Sequence, residues 1–274
     1  MNKRNFLDEI LARRRKQVAL DRANCDLEAF HRQALHAREG KPPHRLRTAL
    51  ANSGSVQIIG EFKRASPSRG VIRKDADVTE TVALYESAGV CAVSVLTEPE
   101  FFRGSLDDLR QARAATELPI LRKDFIIDNI QIDEAARAGA DAILLIAAAL
   151  DDTDLTRLRT LAEDEFGLDA LVEVHTAEEM GRAANCGAKL IGVNNRNLQT
   201  FETSLETSEK LSSLAPEGVT LVSESGICSA ADIKRLTDCG YNGFLIGERL
   251  MRAEDPVALI RSLRGLDIEE QCRA

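Results

Sequence analysis

The sequence predicts an α/β protein: a (β/α)8 barrel (TIM barrel) with an N-terminal helical extension. Eight apolar runs of strand length alternate with helical patterns, and most of these runs are apolar at successive positions, as in a parallel sheet covered by helices. The 274 residues also suffice for one barrel, which takes about 250 residues. An open doubly wound sheet is the alternative, but no G-x-G-x-x-G motif follows the first strand.

Each predicted strand is separated from the next by enough residues for a helix. Apolar residues at helical spacing predict four of these helices, and Asp128 and Thr176 are placed to cap helix N-termini. The predicted strands are Val56–Lys63, Ala92–Thr97, Pro119–Lys123, Ala142–Ala147, Ala170–Val174, Leu190–Asn194, Thr220–Glu224 and Gly243–Gly247. The predicted helices are Val78–Ala88, Asn129–Ala138, Leu155–Phe166 and Ala230–Cys239. Glycines predicted to close helices are Gly89, Gly139, Gly187 and Gly240.

Residues 1–47 lie outside this repeating pattern and are assigned to the helical extension. A helix is predicted from about Phe6 to Arg22. Its basic run, Arg13-Arg14-Arg15-Lys16, indicates a solvated face or a set of salt bridges, and Lys41-Pro42-Pro43 suits a linker. Residues 48–274 are assigned to the barrel, and the two parts are expected to form one structural domain.

Composition excludes several classes of protein. The net charge of −8 is unlike the basic footprint of a nucleic-acid binder. No apolar stretch approaches the ~20 residues of a membrane span, and residues 1–16 are too charged for a signal peptide. The cysteines form no C-x-x-C pair or zinc-like spacing, which favours reduced thiols, a cytoplasmic location and no metal site. They are Cys25, Cys91, Cys186, Cys228, Cys239 and Cys272.

Polar residues end several of the predicted strands, where barrel enzymes build their active sites. Glu61 and Lys63 share a strand face because side chains alternate, and Lys123 ends the third strand. Two lysines and a carboxylate converging at the barrel mouth are costly unless they bind an anion or move protons. The candidates at strand ends are Glu61, Lys63, Lys123, Glu173, Asn194, Arg196, Glu224, Ser225, Gly247 and Glu248.

Small residues after the last two strands predict a phosphate site. Ser225-Gly226-Ile227 and Ile246-Gly247-Glu248 allow backbone N–H groups to approach a ligand, and loops at this position form phosphate sites in many barrels. Arg122 and Asp124 are expected to form a supporting ion pair. His175 lies one residue away from Glu173, so it is expected to face the helix layer or a loop and to cap a helix.

Together these segments resemble the indole-3-glycerol phosphate synthase family over nearly the whole chain. The matching strings run from FLDEILARRRKQV (Phe6–Val18) through EFKRASPS (Glu61–Ser68), LTEPEFFRGS (Leu96–Ser105), LRKDFII (Leu121–Ile127), LVEVH (Leu171–His175), IGVNNRNL (Ile191–Leu198) and SESGI (Ser223–Ile227) to FLIGERLM (Phe244–Met251). The resemblance implies a carboxy-lyase of tryptophan biosynthesis. Such an enzyme converts 1-(2-carboxyphenylamino)-1-deoxyribulose 5-phosphate into indole-3-glycerol phosphate, carbon dioxide and water, without a metal or organic cofactor.

The resemblance also implies catalytic roles. Lys123 is the expected general acid, and a nearby cation in an enclosed site is expected to lower its pKa. Lys63 is expected to pair with the substrate carboxylate, and Glu173 to act as the base of dehydration. Glu61 and Asn194 are expected to hydrogen-bond the substrate hydroxyls and to fix the neighbouring lysines.

The remaining expected contacts hold the substrate. Arg196, Glu224, Ser225 and Ser66 are expected to bind its polar groups, with Ser66 near the carboxylate. The aniline pocket is expected to contain Phe102, Phe125, Leu144 and Ile246, and the phosphate loops to contain Gly226, Gly247 and Glu248. Some family members carry a small hydroxyl residue at position 248. A carboxylate at this position would repel the phosphate. The backbone N–H of Glu248 is therefore expected to bind the phosphate while its side chain turns outward.

Two other functions fit the same residues. A Schiff-base lyase or aldolase could use Lys123 or Lys63 as its nucleophile, and a non-catalytic barrel could bind a phosphorylated sugar.

For the family function we expect the N-terminal helix to form a lid over the barrel mouth. The expected partner is one small phosphorylated substrate, with no nucleic acid or membrane, and the chain is expected to be a monomer.

Overall fold

The computed structural model describes residues 6–51, 55–198 and 200–266. Its eight long strands form a closed barrel in which all neighbours run parallel and the first strand pairs with the last. The strands are β1 (Gln57–Phe62), β2 (Ala92–Leu96), β3 (Ile120–Lys123), β4 (Ala142–Ile146), β5 (Asp169–Val174), β6 (Leu190–Asn194), β7 (Thr220–Glu224) and β8 (Gly243–Ile246). The predicted (β/α)8 barrel is confirmed.

Helices surround the barrel and follow its strands. They are α1 (Phe6–Ala23), α2 (Leu27–Arg38), α3 (Arg45–Leu50), α4 (Val78–Ser87), α5 (Leu106–Ala115), α6 (Asn129–Ala138), α7 (Asp152–Thr160), α8 (Ala177–Asn185), α9 (Glu206–Ser212), α10 (Ala230–Asp238), α11 (Glu248–Arg252) and α12 (Pro256–Leu263). A 3₁₀ turn at Ala147–Ala149 precedes α7, and a π-helical turn at Leu161–Glu165 extends it. A short antiparallel hairpin, Ala65–Ser66 with Gly70–Val71, follows β1.

Local capping chemistry starts and ends the helices as predicted. The Asp128 carboxylate accepts from the backbone N–H of Ile130 at 3.1 Å, and the Gln131 side chain completes a capping box at the start of α6. Thr176 Oγ1 accepts from the N–H of Glu179 at 3.2 Å at the start of α8. The four predicted closing glycines all have left-handed backbones, with φ between 78° and 91°: Gly89, Gly139, Gly187 and Gly240.

Alternation along the strands creates two separate apolar layers. Ile58, Val93 and Val172 belong to the layer between strands and helices. Ile59 and Leu171 belong to the barrel interior. Side chains alternate between the two faces of a strand. The candidate acid and base residues at the strand ends therefore lie on the same interior face as these apolar side chains.

Residues 6–50 contact the barrel at three places. Helix α1 lies at the mouth, α2 packs beside α6, and α3 closes the opposite end. Leu46 and Leu50 of α3 are buried in the interior apolar cluster with Ile59 and Leu171. Helix α3 therefore crosses residue 47, the expected boundary of the extension, without a break. None of the helices in the described parts of the chain is long and apolar enough to cross a membrane.

The cysteines that the structure describes, Cys25, Cys91, Cys186, Cys228 and Cys239, are all free thiols. Cys272 lies outside the described residues. Within the described ranges, no group of three or more His, Cys, Asp or Glu side chains could hold a metal ion.

Candidate active site

A cavity of about 850 Å³ opens where the barrel strands end. Its position is the face at which (β/α)8 enzymes carry their active sites. All residues predicted for the site line this one cavity: Glu61, Lys63, Ser66, Phe102, Lys123, Phe125, Leu144, Glu173, Asn194, Arg196, Glu224, Ser225, Gly226, Ile246, Gly247 and Glu248.

Lys123 lies at the centre of the polar part of the cavity. Its Nζ donates to Glu173 Oε2 at 3.0 Å and also to the carboxylate of Glu224. The Lys123 side chain is 12% exposed, and the two carboxylates are almost completely buried. Strands β3, β5 and β7 each contribute one member, so the triad exists only when the barrel is closed.

The charges of this triad shift the pKa of each member. Burial alone would lower the pKa of Lys123, but the Glu173 and Glu224 carboxylates outweigh it and raise that pKa above its ordinary value. The expectation of a lowered lysine pKa is therefore wrong, because the closest charges to Lys123 are anionic. Burial raises the pKa of Glu224 to about 7, whereas Lys123 and His175 overcome burial and lower the pKa of Glu173.

A second lysine–carboxylate pair lies at the end of β1. Lys63 Nζ donates to Glu61 Oε1 at 2.5 Å, which confirms that the two side chains share a face. Glu61 packs against Gly247, where a Cβ would collide with its carboxylate. Gly247 therefore makes room for the Glu61 carboxylate, a reason for glycine that the sequence pattern did not reveal.

Asn194 and His175 flank Glu173. The Asn194 side chain hydrogen-bonds Glu173, and its Oδ1 accepts from the N–H of Arg196 at 3.0 Å. The predicted capping role of His175 is wrong, because Thr176 is the N-cap of α8 and the backbone N–H of His175 only donates to Glu179 Oε2 at 2.6 Å. Its ring faces the helix layer as expected, with Nδ1 3.3 Å from Glu179 Oε2 on α8, and its Nε2 also lies 3.5 Å from Glu173 Oε1.

The loop after β7 has an unusual backbone that Asn195 holds in place. Ser225 has φ 67°, a left-handed conformation that is uncommon outside glycine, and Gly226 follows at φ 81°. A Cβ at Gly226 would lie 2.6 Å from Thr203 Cγ2. Buried Asn195 donates to the Ser225 carbonyl at 3.1 Å, and its Oδ1 accepts from the N–H of Ser208 at 3.0 Å. Sequence reasoning missed Asn195, although the polar run around it was noted.

The Glu248 side chain does not turn away from the cavity, contrary to expectation. Its carboxylate lies 3.2 Å from Arg69 Nε, 3.2 Å from Arg252 Nε and 3.7 Å from Arg196 Nη2. All four residues line the cavity. The physical reason is charge, because three guanidinium groups from separate segments hold the carboxylate at the rim.

Aromatic rings form the apolar part of the cavity. The Phe102 and Phe125 ring centroids are 6.2 Å apart, and Leu144 adds an interior side chain from β4. Ile246 lines the cavity while packing mainly into the layer between strands and helices. Buried Glu98, which the sequence pattern did not single out, accepts from the backbone N–H groups of residues 100, 101 and 102 and so fixes the loop that presents Phe102.

Helix α1 covers one side of the mouth. Phe6, Leu7 and Ile10 line the cavity, and the Phe6 ring packs edge-on against Phe101 at 4.9 Å between centroids. Further along the helix, Arg14 forms an ion pair with buried Asp124, the residue after Lys123.

Asp124 also receives a second guanidinium group, from buried Arg122 at 3.1 Å. The predicted Arg122–Asp124 ion pair is thus confirmed. Burial alone would raise the pKa of Asp124, but Arg122, Arg14 and the Thr97 hydroxyl outweigh it and lower that pKa below its ordinary value. The Arg14–Asp124–Arg122 network joins α1 to β3, the strand that carries Lys123.

Replacing Asp124 with asparagine is expected to lower the free energy of unfolding at pH 7 by about 1–3 kcal/mol, because buried Arg122 would lose the Asp124 carboxylate while keeping Glu134 at 3.0 Å. The pKa of Asp124 is lowered by folding, so its contribution to stability is present above about pH 4 and is lost as pH falls through the folded pKa. Asp124→Asn should therefore flatten the acid loss of stability in urea titrations. Asp107→Asn, at an exposed ion pair, is the control and should leave both quantities nearly unchanged.

Comparison with known proteins agrees with this geometry. A family model described as indole-3-glycerol phosphate synthase matches residues 7–263. The indole-3-glycerol phosphate synthase of Koribacter versatilis is 47% identical over 94% of this chain and 98% of its own length. The protein of that name from Carboxydothermus hydrogenoformans is 45% identical over 92% of this chain and 96% of its own.

More distant solved structures share the barrel alone. Thiamine phosphate pyrophosphorylase from Pyrococcus furiosus superposes with a TM-score of 0.59 at 18% identity, over 82% of this chain and 98% of that one. A 3-hexulose-6-phosphate synthase gives a TM-score of 0.59 at 16% identity, over 77% of this chain and 99% of that one. The match of the family model across the barrel, together with relatives of this identity and coverage, shows that the chain belongs to the indole-3-glycerol phosphate synthase family.

Proposed function

We propose that this cavity binds 1-(2-carboxyphenylamino)-1-deoxyribulose 5-phosphate and closes its indole ring. The observation that carries the proposal is the position of Lys123 between two buried carboxylates, in one cavity with Lys63, an aromatic pocket and an arginine-rich rim. Such a cavity matches a substrate that has an aromatic carboxylate at one end and a phosphate at the other.

In this proposal the substrate spans the cavity from the aromatic pocket to the arginine-rich rim. Phe102 and Phe125 flank the aniline ring, and its carboxylate approaches Lys63 and Ser66. The phosphate lies at the other end, near the backbone of Gly226 and Gly247 and the nearby arginines. Binding at both ends brings the ring carbon next to the ribulose carbonyl. This proximity can lower the activation free energy of ring closure by several kcal/mol.

Ring closure requires a proton donor. The ring carbon that bears the carboxylate attacks the ribulose carbonyl carbon, a carbon–carbon bond forms, and Lys123 donates a proton to the carbonyl oxygen. A raised pKa keeps Lys123 protonated and ready for this role near neutral pH. The bond to the carboxylate then breaks, carbon dioxide leaves, and its electron pair restores the aromatic ring.

Dehydration completes the indole. Glu173 removes the proton from the carbon next to the new hydroxyl, the electron pair forms the ring double bond, and the hydroxyl leaves as water after taking a proton from an ammonium group. The lowered pKa of Glu173 keeps it ionised and able to act as a base. Asn194, which hydrogen-bonds Glu173, holds it in position.

A Schiff-base mechanism fits this geometry less well. An amine nucleophile must be unprotonated, whereas two carboxylates raise the pKa of Lys123, and Lys63 donates to Glu61. Borohydride reduction during turnover should therefore trap no covalent adduct.

Glu224 should make the reaction sensitive to pH near neutrality. Its pKa is about 7, so raising the pH through this value adds a negative charge where an anionic substrate must bind. We expect kcat/KM to fall as pH rises through about 7. Glu224→Gln should remove this descending limb, since glutamine mimics the neutral acid. A descending limb that persists unchanged in the variant would assign it to another group.

We also propose a cytoplasmic, monomeric enzyme. The free thiols of the described cysteines suit a reducing compartment. The exposed large apolar side chains of the described residues lie on separate segments, as in a monomer. They are Leu20, Leu27, Val71, Leu84, Leu214 and Leu266.

The proposed reaction is tested by indole fluorescence. The chain has no tryptophan and only two tyrosines, so an indole product would be detected over a weak protein background. Incubating the purified protein with the aminated ribulose phosphate should give a steady rise in indole emission and one carbon dioxide per product. No rise above the rate without enzyme would reject the proposed function.

A further inference from the structure

The Glu248 carboxylate occupies an arginine cluster at the rim of the cavity. Arg69 comes from the hairpin after β1, Arg196 from the segment after β6, and Arg252 from α11. Their guanidinium nitrogens lie 3.2 to 3.7 Å from the carboxylate oxygens. Two loops that are far apart in sequence, together with one residue of the helix that carries Glu248, thus converge on one acidic side chain.

The cluster has the composition of an anion site that is already filled. Guanidinium groups bind phosphate and carboxylate oxygens with the same hydrogen-bonding geometry. Glu248 directly follows Gly247, whose backbone lies at the proposed phosphate end of the cavity. A phosphate bound there would meet the Glu248 charge and would need some of the same guanidinium groups.

We propose that Glu248 is a resident anion that holds the rim arginines in the free protein and gives them up to the substrate phosphate. This inference rests on the proposed function for the placement of the phosphate. Glu248 then determines affinity rather than chemistry. It keeps the three guanidinium groups in place, and its charge weakens the binding of every phosphate-bearing ligand, including a product that must leave.

A purely structural role makes the opposite prediction. Glu248 and Arg252 form an i,i+4 pair on α11. If the carboxylate only stabilised this helix and the arginine positions, its neutralisation would loosen the rim and weaken anion binding. The direction of the change therefore separates the two roles.

The test is calorimetric titration of inorganic phosphate into three proteins at low ionic strength: wild type, Glu248→Gln and Glu254→Gln. Glutamine keeps the size and hydrogen-bonding oxygen of Glu248 but removes the charge. Glu254 is exposed, is close in sequence and does not line the cavity, so its variant controls for net charge. We expect the phosphate Kd of Glu248→Gln to be about three- to tenfold lower than that of wild type, the scale of one partly exposed charge contact.

Two further readouts sharpen the result. The difference between Glu248→Gln and wild type should shrink with added sodium chloride, since screening acts on a charge effect. In steady state, Glu248→Gln should lower KM without raising kcat. Glu248→Asp, which keeps the charge, should not bind phosphate more tightly than wild type.

Unchanged or weaker phosphate binding by Glu248→Gln, with normal thermal unfolding, would overturn the inference. So would an equal gain in Glu254→Gln. These outcomes are independent of turnover, because a wild-type protein that makes no indole would reject the proposed function whatever the phosphate titrations give.

Discussion

Lys123→Ala is expected to lower kcat by a factor of about 100 or more, the typical loss when a positioned general acid is removed. Lys123 is the one lysine that contacts both Glu173 and Glu224 among the residues that the structure describes. Without a proton from Lys123, the carbonyl oxygen of the substrate must develop negative charge beside two carboxylates. Ring closure itself should therefore slow, and no intermediate should accumulate.

Two control variants separate charge from proton transfer. Lys123→Arg keeps a cation between the carboxylates, but a guanidinium group has too high a pKa to donate a proton readily, so its kcat should remain low. Lys210→Ala removes an exposed lysine and should leave kcat near wild type. A Lys123→Ala protein with wild-type kcat would show that another group protonates the carbonyl oxygen.

Glu173→Gln is expected to slow dehydration by a factor of about 100 to 10,000, because glutamine cannot take up the proton. The earlier steps need Lys123 rather than Glu173, so ring closure and decarboxylation should continue. A cyclised, decarboxylated species that still carries the hydroxyl should then accumulate and be detected by mass spectrometry after rapid quenching.

The matched control for this variant is Glu178→Gln, at an exposed position five residues further along the same βα segment. It should turn over normally and accumulate nothing. If Glu173→Gln accumulated no such species and showed wild-type turnover, another base would have to complete the reaction.

The barrel and most of its site were predictable from sequence for a simple reason. Parallel strands covered on both faces produce continuous apolar runs, and the period of two assigns each residue at a strand end to the interior or the helix layer. Glu61 and Lys63 were placed on one face by this rule, and their carboxylate and ammonium groups meet at 2.5 Å.

The features that sequence did not reveal depend on groups distant along the chain. The pKa of Lys123 rises because of carboxylates 50 and 101 residues away, which no local pattern brings together. Helix α3 closes the barrel through Leu46 and Leu50, although its six residues carry little periodic signal.

Polar residues that serve loop backbones were also missed. Glu98 accepts three backbone N–H groups, and Asn195 bonds both Ser225 and Ser208. Apart from Ser208 in α9, these partners are main-chain atoms of loops, which have no distinctive sequence. The predicted orientation of Glu248 was wrong for a similar reason, since Arg69 and Arg196, two of the three arginines that contact its carboxylate, come from loops distant along the chain.

The division of labour between Lys123 and Glu173 is tested most directly by measuring carbon dioxide and indole together in single-turnover reactions. Wild type should release one carbon dioxide for each indole formed. Lys123→Ala should lose both products in parallel, whereas Glu173→Gln should release carbon dioxide well ahead of indole. Equal, parallel loss of the two products in Glu173→Gln would contradict the separate roles assigned to these side chains.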